Sequence, residues 1–476
     1  MLKFSVKTTR SARLLPLSFA ILLAGCSSMA PEYSRTELPI ANDWQNTLNT
    51  GAQGLSAEQA MQVPWKSFIK DPRLAQVIEL ALNSNRSLRQ TLADVEAARA
   101  TYRIQRADLY LPIDADLSSS RSRSSGEVSS TYQAEAGLSD YEIDLFGKNR
   151  SLTAVQMEAY LASEETAKAT KISLISEIAN AWLTLAADQS ALTLAKETMN
   201  NAQQAMEITQ KRLTLGVDSQ IDLVSAETIY HSARSDTALY QTQVAQDINA
   251  LSLLVGEPLN DNLLPNALPD SNTLVTDVPA GLSSEVLLQR PDVLAAEHNL
   301  KSANANIGVA RAAFFPSLSL TATGGIGSTM LSDLFTGGAS SIWTIAPTLS
   351  LPIFDGGAND ANLAYSEALQ QKTLAAYEYA IQNAFSEVAD ALARRATIQE
   401  QLDAENALVA AATRHYDLSL ARYQNGVDSF QDTLEAQRTM YSAKQSLILT
   451  QQTDLDNRIT LYRVLGGGLA SDPEQG

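Results

Sequence analysis

Residues 212–219 read Arg-Leu-Thr-Leu-Gly-Val-Asp-Ser, and residues 422–429 read Arg-Tyr-Gln-Asn-Gly-Val-Asp-Ser. Each octet closes a stretch free of glycine and proline and rich in Ala, Leu, Glu, Gln and Lys, 151–215 in the first case and 358–425 in the second. That composition predicts two very long helices. At ~1.5 Å per residue each would reach roughly 100 Å, more than a globular core needs, which points to a coiled coil or an elongated tube. Gly216 and Gly426 are expected to stop these helices in a left-handed cap, with Asp or Ser then capping the next helix. Second helices follow over 218–255 and 428–465, so the chain folds back twice as a helical hairpin.

Outward from the octets, the match extends as an internal repeat in which Arg212, Gly216, Asp218, Ala226 and Ser232 answer Arg422, Gly426, Asp428, Ala436 and Ser442. Upstream, Arg106-Ala107 before Pro112 answers Arg311-Ala312 before Pro316, and Leu145-Phe146 answers Ile353-Phe354. A repeat of this kind makes the chain two similar halves, 73–257 and 283–468, joined by a linker over 258–282 and followed by a tail over 469–476.

Within each half one region leaves the helical texture. Residues alternate over 111–117 and 132–145, with Ile113, Ala115 and Leu117 set against Asp114 and Asp116. Trp343, Ile345, Leu349, Leu351 and Ile353 share one parity, and 317–323 supplies a partner with Leu318, Leu320 and Ala322 on one face. A period of two means strand. The parity slips between Leu138 and Tyr141, as a β-bulge would make it. Four strands of roughly ten residues are long enough to cross an outer membrane when tilted, yet too few to close a barrel, so several chains would have to share one. A soluble four-stranded sheet is the alternative. Gly324-Gly325-Ile326-Gly327 follows a strand and is expected as a flexible extracellular turn, lacking the helix start that a phosphate cradle needs.

Leu434, Tyr441, Ile448, Leu455 and Tyr462 recur every seven residues, which imposes left-handed supercoiling, although a core stripe in a simple bundle would look the same.

At the N-terminus Lys3, Lys7, Arg10 and Arg13 precede an apolar run over 14–23, the pattern of a secretory signal peptide over 1–25. The chain's single cysteine, Cys26, ends Leu23-Ala24-Gly25-Cys26, so no internal disulfide can form. Residues 26–72 are expected to be an extended segment. Without residues 1–25, 31 basic residues face 53 acidic ones, a formal charge of −22. That excess and the lack of a basic stripe argue against nucleic acid as a partner. A solvated acidic surface and an acidic water-filled lumen account for it equally well.

No catalytic constellation emerges. His231, His298 and His415 lie in separate helices without a second histidine at metal spacing, which argues against a zinc or copper site. No serine, histidine and acid form a nucleophile motif. A channel, a structural or adaptor coiled-coil lipoprotein, and a periplasmic enzyme are the competing classes. The third lacks a site and the second should carry compact β domains.

The residues resemble the TolC-like outer-membrane factors, and within them the lipoprotein-type drug-efflux channels. The resemblance covers nearly all of the chain after Gly25. It rests on Leu23-Ala24-Gly25-Cys26, which is similar to a bacterial lipobox, on Tyr141-Glu142-Ile143-Asp144-Leu145-Phe146-Gly147, Arg290-Pro291-Asp292 and Leu351-Pro352-Ile353-Phe354, on Gly426-Val427-Asp428 with Glu435-Ala436-Gln437-Arg438, and on Leu465-Gly466-Gly467-Gly468. It implies a mixed α+β, mainly helical fold: a homotrimer whose twelve-stranded outer-membrane β-barrel, four strands per chain, continues as a long periplasmic helical barrel. It implies a diacylglyceryl and N-acyl lipid on Cys26, no cofactor, and an outer-membrane address set by Ser27. The implied partners are outer-membrane lipid, a periplasmic adaptor and an inner-membrane transporter of the resistance-nodulation-division class, with this chain the passive exit duct for drugs and other small molecules. Position by position, Arg422, Tyr423, Asp428, Glu435 and Arg438 match the family's periplasmic gate. Gly216, Val217, Asp218, Gly426 and Val427 fall at the adaptor-docking tips. Gln424 and Glu435 depart from the residues common in relatives, which leaves solvated helix charges as the plain alternative, just as Asp218 and Asp428 have a plain role as N-caps.

Overall fold

The computed structural model describes residues 28–35, 39–41, 44, 64–270 and 284–467. The signal peptide, Cys26, residues 271–282 of the linker, Gly468 and the tail lie outside the described residues. After a helical turn, Trp65–Phe68, the first half runs α1 (Pro72–Ser84), α2 (Arg86–Ala107), β1 (Asp114–Ser124), β2 (Glu127–Ile143), α3 (Lys148–Thr214) and α4 (Gln220–Val255). The second runs α5 (Pro291–Ala312), β3 (Ser317–Ser328), β4 (Ser340–Ser350), α6 (Ala358–Gln424) and α7 (Phe430–Val464). Both long helices, α3 and α6, have 67 residues. Among the described residues no helix is long and apolar enough to cross a membrane.

The chain divides into two compact units that cut across the repeat. One is drawn from Met1–Glu37, Asp94–Glu164 and Ala295–Glu378, the other from Leu38–Ala93, Glu165–Leu294 and Tyr379–Gly476. The first unit holds an antiparallel sheet in the order β1-β2-β3-β4. Its register shift falls between Leu138 and Tyr141, where the parity slip in the sequence placed a bulge, and Asp140 there has a φ of 53°.

The strands differ from the alternation-based expectation at their ends. β1 does not stop at Leu117 but runs on through Ser118–Arg123 to Ser124, held by its ladder to β2 instead of by an apolar parity. The two strands meet at Ser125 and Gly126, both at positive φ, the two-residue turn that suits a hairpin's twist. β4 ends at Ser350, before Pro352, which cannot donate to a ladder. Gly324, Gly325, Ile326 and Gly327 are not a turn: all four lie inside β3, paired with 133–136 on β2 and with 340–343 on β4. At Gly325 a Cβ would stand 2.1 Å from the Ala134 carbonyl oxygen, and at Gly137 one would stand 2.1 Å from that of Ala322, so these glycines permit a close approach of backbones.

The second unit carries the larger core. Phe68, Leu74, Val77 and Ile78 pack with Ile178, Trp182 and Leu185 of α3, Leu251 and Val255 of α4, and Leu455, Ile459 and Tyr462 of α7. Phe68 stacks on Tyr462 at 4.0 Å between ring centroids, and the Trp182 indole donates to the Leu263 carbonyl at 3.1 Å. Leu434, Leu455 and Tyr462 of the heptad series are buried, and Tyr441 and Ile448 half-buried. Arg290, its side chain 6% exposed, donates to Asp292 (3.0 and 2.7 Å), to Glu387 on α6 (2.8 Å) and to the Val464 carbonyl at the end of α7 (2.8 Å). One guanidinium thus ties the start of α5 to two other helices, with its buried charge compensated by two carboxylates.

Candidate functional site

The sheet's register sorts its side chains by chemistry. Along one face Leu117, Ala134 and Ile326 fall in line, then Ala136, Gly324 and Trp343, then Leu138, Ala322 and Ile345, then Tyr141, Leu320 and Pro347, then Ile143, Leu318 and Leu349. The other face carries Asp114, Asp116, Gln133, Glu135, Thr321 and Thr323. In the chain by itself no protein covers this face: on the edge strands Leu117, Trp343, Ile345 and Leu349 are all more than half exposed, and on the inner strands Leu138, Leu318 and Leu320 are half-buried among their neighbours. A continuous exposed apolar face on a sheet whose other face is polar is a surface made to be covered.

At the hairpin tips the sequence repeat becomes a structural one. The Gly216 and Gly426 amides donate to the carbonyls three residues back, and those of Val217 and Val427 donate five back, to Arg212 and Arg422, each at 2.9 Å. This Schellman closure returns the chain to the last turn of its own helix, so an arginine and an aspartate six residues apart meet. Arg212 Nε contacts both oxygens of Asp218 at 3.0 Å, and Arg422 makes the matching pair with Asp428, its Nη2 donating to Oδ1 at 2.7 Å. Hydrogen bonding to Asp428 raises the Arg422 pKa, and hydrogen bonding to Arg422 holds Asp428 below the usual carboxylate range.

Neither aspartate is an N-cap. That role goes to Ser219, whose hydroxyl accepts from the Asp222 amide in a reciprocal capping box, and to Ser429, whose side chain makes no cap bond and donates to Asp432 at 2.8 Å. The aspartates are drawn back to the arginines by the tip closure, which leaves the serine one residue on to cap.

The repeat breaks at one informative place. Tyr423 stands where the first half has Leu213, and its hydroxyl donates to Asp218 Oδ2 at 2.7 Å, tying the second tip to the first. The Arg212 guanidinium lies 4.8 Å over the Tyr423 ring, and Tyr423 is buried with Ala202, Ala226, Ile229, Phe430 and Leu434. Burial and the bond to Asp218 push the Tyr423 phenol up to about 12. Of the residues matched to a gate, Arg422, Tyr423 and Asp428 therefore come together at the tips. Glu435 and Arg438 lie further along α7, exposed, and neither forms an ion pair among the described residues. Arg422 pairs with its own Asp428, not with Glu435. Gly216, Val217, Gly426 and Val427 are the turns themselves, with Val217 and Val427 61–62% exposed. Arg212, a residue the repeat had marked but the gate match had not, completes the cluster.

Among the described residues no group of three or more His, Cys, Asp or Glu is placed to hold a metal ion. His298 Nδ1 instead contacts Glu158 at 2.6 Å.

The model of the outer membrane efflux protein family matches the chain over 77–257 and 282–467. The chain is 42% identical over 458 residues, 94% of each chain, to a probable efflux pump outer membrane protein, TtgC, of Pseudomonas putida. It is 40% identical over 460 residues, 95% of each, to the outer membrane protein OprJ of Pseudomonas aeruginosa. The open state of the MtrE outer membrane channel of Neisseria gonorrhoeae superposes with a TM-score of 0.84 at 37% identity, covering 93% of this chain and 99% of that one. A membrane protein of Pseudomonas aeruginosa superposes at 0.85, with 39% identity and 92% and 100% coverage. The chain belongs to the outer membrane efflux protein family, as an outer-membrane channel component of an efflux pump.

Proposed function

We infer that three copies of this chain close one twelve-stranded barrel through the outer membrane, and that the barrel continues as a helical duct through which small molecules leave without chemistry on the way. The observation that carries this reading is the sheet. No protein covers its apolar face in the chain by itself, its other face is polar, and β1 and β4 each lack a second strand partner among the described residues. An unpaired strand edge cannot persist in lipid, so each β1 must pair with the β4 of another copy. Asp114, Asp116 and Glu135 then line the lumen, which favours the acidic-lumen account of the net charge.

Relatives named as toluene, solvent and antibiotic efflux proteins suggest small apolar and amphipathic cargo, with selection made by the inner-membrane transporter. The exposed tips around Val217 and Val427 suit docking of a periplasmic adaptor that joins channel and transporter. Lipidation at Cys26 is supported by the segment that follows it. Ser28 bonds Ser151 (2.9 Å), the Met29 and Pro31 carbonyls accept from Arg311 and Asn304, and Tyr33 and Arg35 bond Glu297. This strap runs antiparallel along α5 and begins at the end that leads into β3. Its first described residue, Ser28, thus lies at the end of α5 from which the chain enters the sheet.

The test is Cys26→Ser. The variant is expected to remain in the outer-membrane fraction through a urea wash and still assemble, because a single anchor adds reversible binding beside a buried barrel. Complete release into the periplasm would refute the barrel.

A further inference from the structure

At one end of the sheet, where β1 and β3 begin and β2 and β4 end, the strands join the helices through four short connections. Two of these connections meet within the chain. β2 leaves the ladder at Ile143, opposite Leu318, and beyond that last pair the Phe146 ring stacks on Phe315 with 4.8 Å between centroids. Rings stacked at this distance attract each other beyond the area they cover. Leu145 and Phe146 are half-buried there, and Phe315 is 42% exposed.

The other two connections are the repeat's copies of these. Ile353-Phe354 after β4 answers Leu145-Phe146 after β2. Before the strands, the backbone fixes the equivalence. Past α5 the Phe314 and Phe315 amides donate to the Arg311 and Ala312 carbonyls at 3.3 and 3.0 Å, and past α2 those of Leu109 and Tyr110 donate to Arg106 and Ala107 at 3.2 and 2.9 Å. Tyr110 therefore stands where the second half has Phe315, one ring for another. Both connections are anchored. The Tyr141 hydroxyl donates to the Leu109 carbonyl at 3.2 Å, and the Asp355 carboxylate accepts from the Gly357 and Asn359 amides, each at 2.9 Å. Even so, Ile353 and Phe354 are 93% and 92% exposed and Tyr110 is 61% exposed. Large apolar side chains held out on anchored turns, where their counterparts are covered, mark a contact surface.

Tyr110 precedes β1 and Phe354 follows β4, the two opposite edges of the sheet, so one chain does not bring them together. Pairing β1 of one copy with β4 of another does. We propose that Phe354 of each copy stacks on Tyr110 of the next, with Ile353 and Leu111 at the rim of the contact, so that an aromatic clasp closes each seam between copies as the Phe146–Phe315 stack closes the join inside the chain. The clasp also has a task that backbone bonding does not perform. A strand ladder by itself specifies register weakly, whereas two rings that meet only when the end of β4 is level with the start of β1 select one register at the seam. This inference rests on the reading that copies share one barrel through β1 and β4.

The experiment places the photoreactive residue p-benzoylphenylalanine, which keeps an aromatic ring, at position 354 of the full-length chain in its native membrane. Irradiation should shift the chain to dimer and trimer bands on a denaturing gel, with the adduct mapped by mass spectrometry to the peptide that carries Tyr110. The reciprocal probe at position 110 should map to the peptide that carries Phe354. A probe at position 146 should map to Phe315 and leave the chain a monomer on the gel. Adducts from position 354 to lipid alone, to its own chain, or to a different part of another copy would overturn the clasp. Weighing the unmodified particle separates this from the reading beneath it: three copies with misplaced adducts sink the clasp alone, and a single copy sinks the shared barrel. A double-mutant cycle reads the same contact without a probe. Phe354→Ala and Tyr110→Ala should each lower by several degrees the temperature at which the assembled form dissociates in SDS, Tyr110→Phe should leave it unchanged, and the double alanine variant should fall no further than the more sensitive single one. Shifts that simply add would show that the two rings do not touch.

Discussion

Replacing Tyr423 by Phe removes one hydroxyl and leaves the ring, so it isolates the bond that ties the second tip to the first. The acceptor is the Asp218 carboxylate, its side chain 6% exposed, and Tyr423 is equally buried, so water does not restore what is lost. A hydrogen bond to a charged group contributes about 1.5–3 kcal/mol net. Because Arg212 still holds Asp218, the lower part of that range applies, about 1.5–2 kcal/mol. With the tips taken as the gate, as the family resemblance implies, that is a shift of roughly 10- to 30-fold per chain in the open-to-closed ratio. Asp218→Ala should exceed it, since Arg212 then loses its partner as well. Arg422→Ala should have the smallest effect, because Arg422 is 58% exposed and water replaces its partner. The assays are single-channel conductance in planar bilayers and inward leakage of vancomycin, with assembled yield as control. With the Tyr423 phenol pushed up to about 12, it stays a donor, and wild-type conductance through this tie should not vary between pH 6 and 9. Conductance unchanged in Tyr423→Phe with normal assembly, or Arg422→Ala opening as far, would refute the reasoning.

Three further outcomes follow from particular residues. Gly325→Ala and Gly137→Ala should lower the assembled fraction sharply, each Cβ meeting a carbonyl oxygen at 2.1 Å, whereas Gly324→Ala, with nothing within 4 Å, should assemble normally on the same gel. Arg290→Met should cost about 1–3 kcal/mol, mainly by leaving the Val464 carbonyl without its donor, since Asp292 and Glu387 are 43% and 30% exposed and water replaces part of what they lose; this would be seen as a thermal midpoint lower by a few degrees, with Arg290→Lys intermediate. Burial first, and then its hydrogen-bonded neighbour Asp247, push the Asp188 carboxyl up to about 6. The folded chain therefore binds this proton more tightly than the unfolded one, and stability is lost as pH rises from about 4 through 6. In a fully buried group the effect would be about 3 kcal/mol; at half burial, screening leaves about 1–2 kcal/mol. Asp188→Asn should accordingly raise the thermal midpoint at pH 7.5 and leave it nearly unchanged at pH 4.

What could be read from the chain before its structure was what depends on local sequence. The two 67-residue helices follow from composition, the turns from Gly216 and Gly426, and the bulge from the parity slip at Leu138–Tyr141. The extension of β1 through Ser118–Ser124 was hidden because its order comes from the ladder to β2, and a stretch of Ser and Arg shows no alternation. The glycines of 324–327 looked like a turn because chain composition does not report that a neighbouring strand's backbone comes too close for a side chain. At the tips, the repeat located Arg212, Asp218, Arg422 and Asp428, but not which residues pair. The Schellman closure decides that, by returning each aspartate to the arginine six residues back and leaving the serine to cap. The bonds that α7 makes to α4, from Tyr441 to Asp236 and from Gln445 to Tyr240, depend on a 205-residue register between helices, five short of the repeat's own offset, which no single helix encodes.

The claim that several chains share one barrel is tested most directly by determining the structure of the purified chain in lipid nanodiscs while weighing the same particles. The account predicts three copies, with β1 of each hydrogen-bonded to β4 of the next in an unbroken ring of twelve strands and with Trp343, Ile345 and Leu349 facing lipid. A particle of one chain, or an assembly in which β1 and β4 remain unpaired and the apolar face packs against protein, would contradict it.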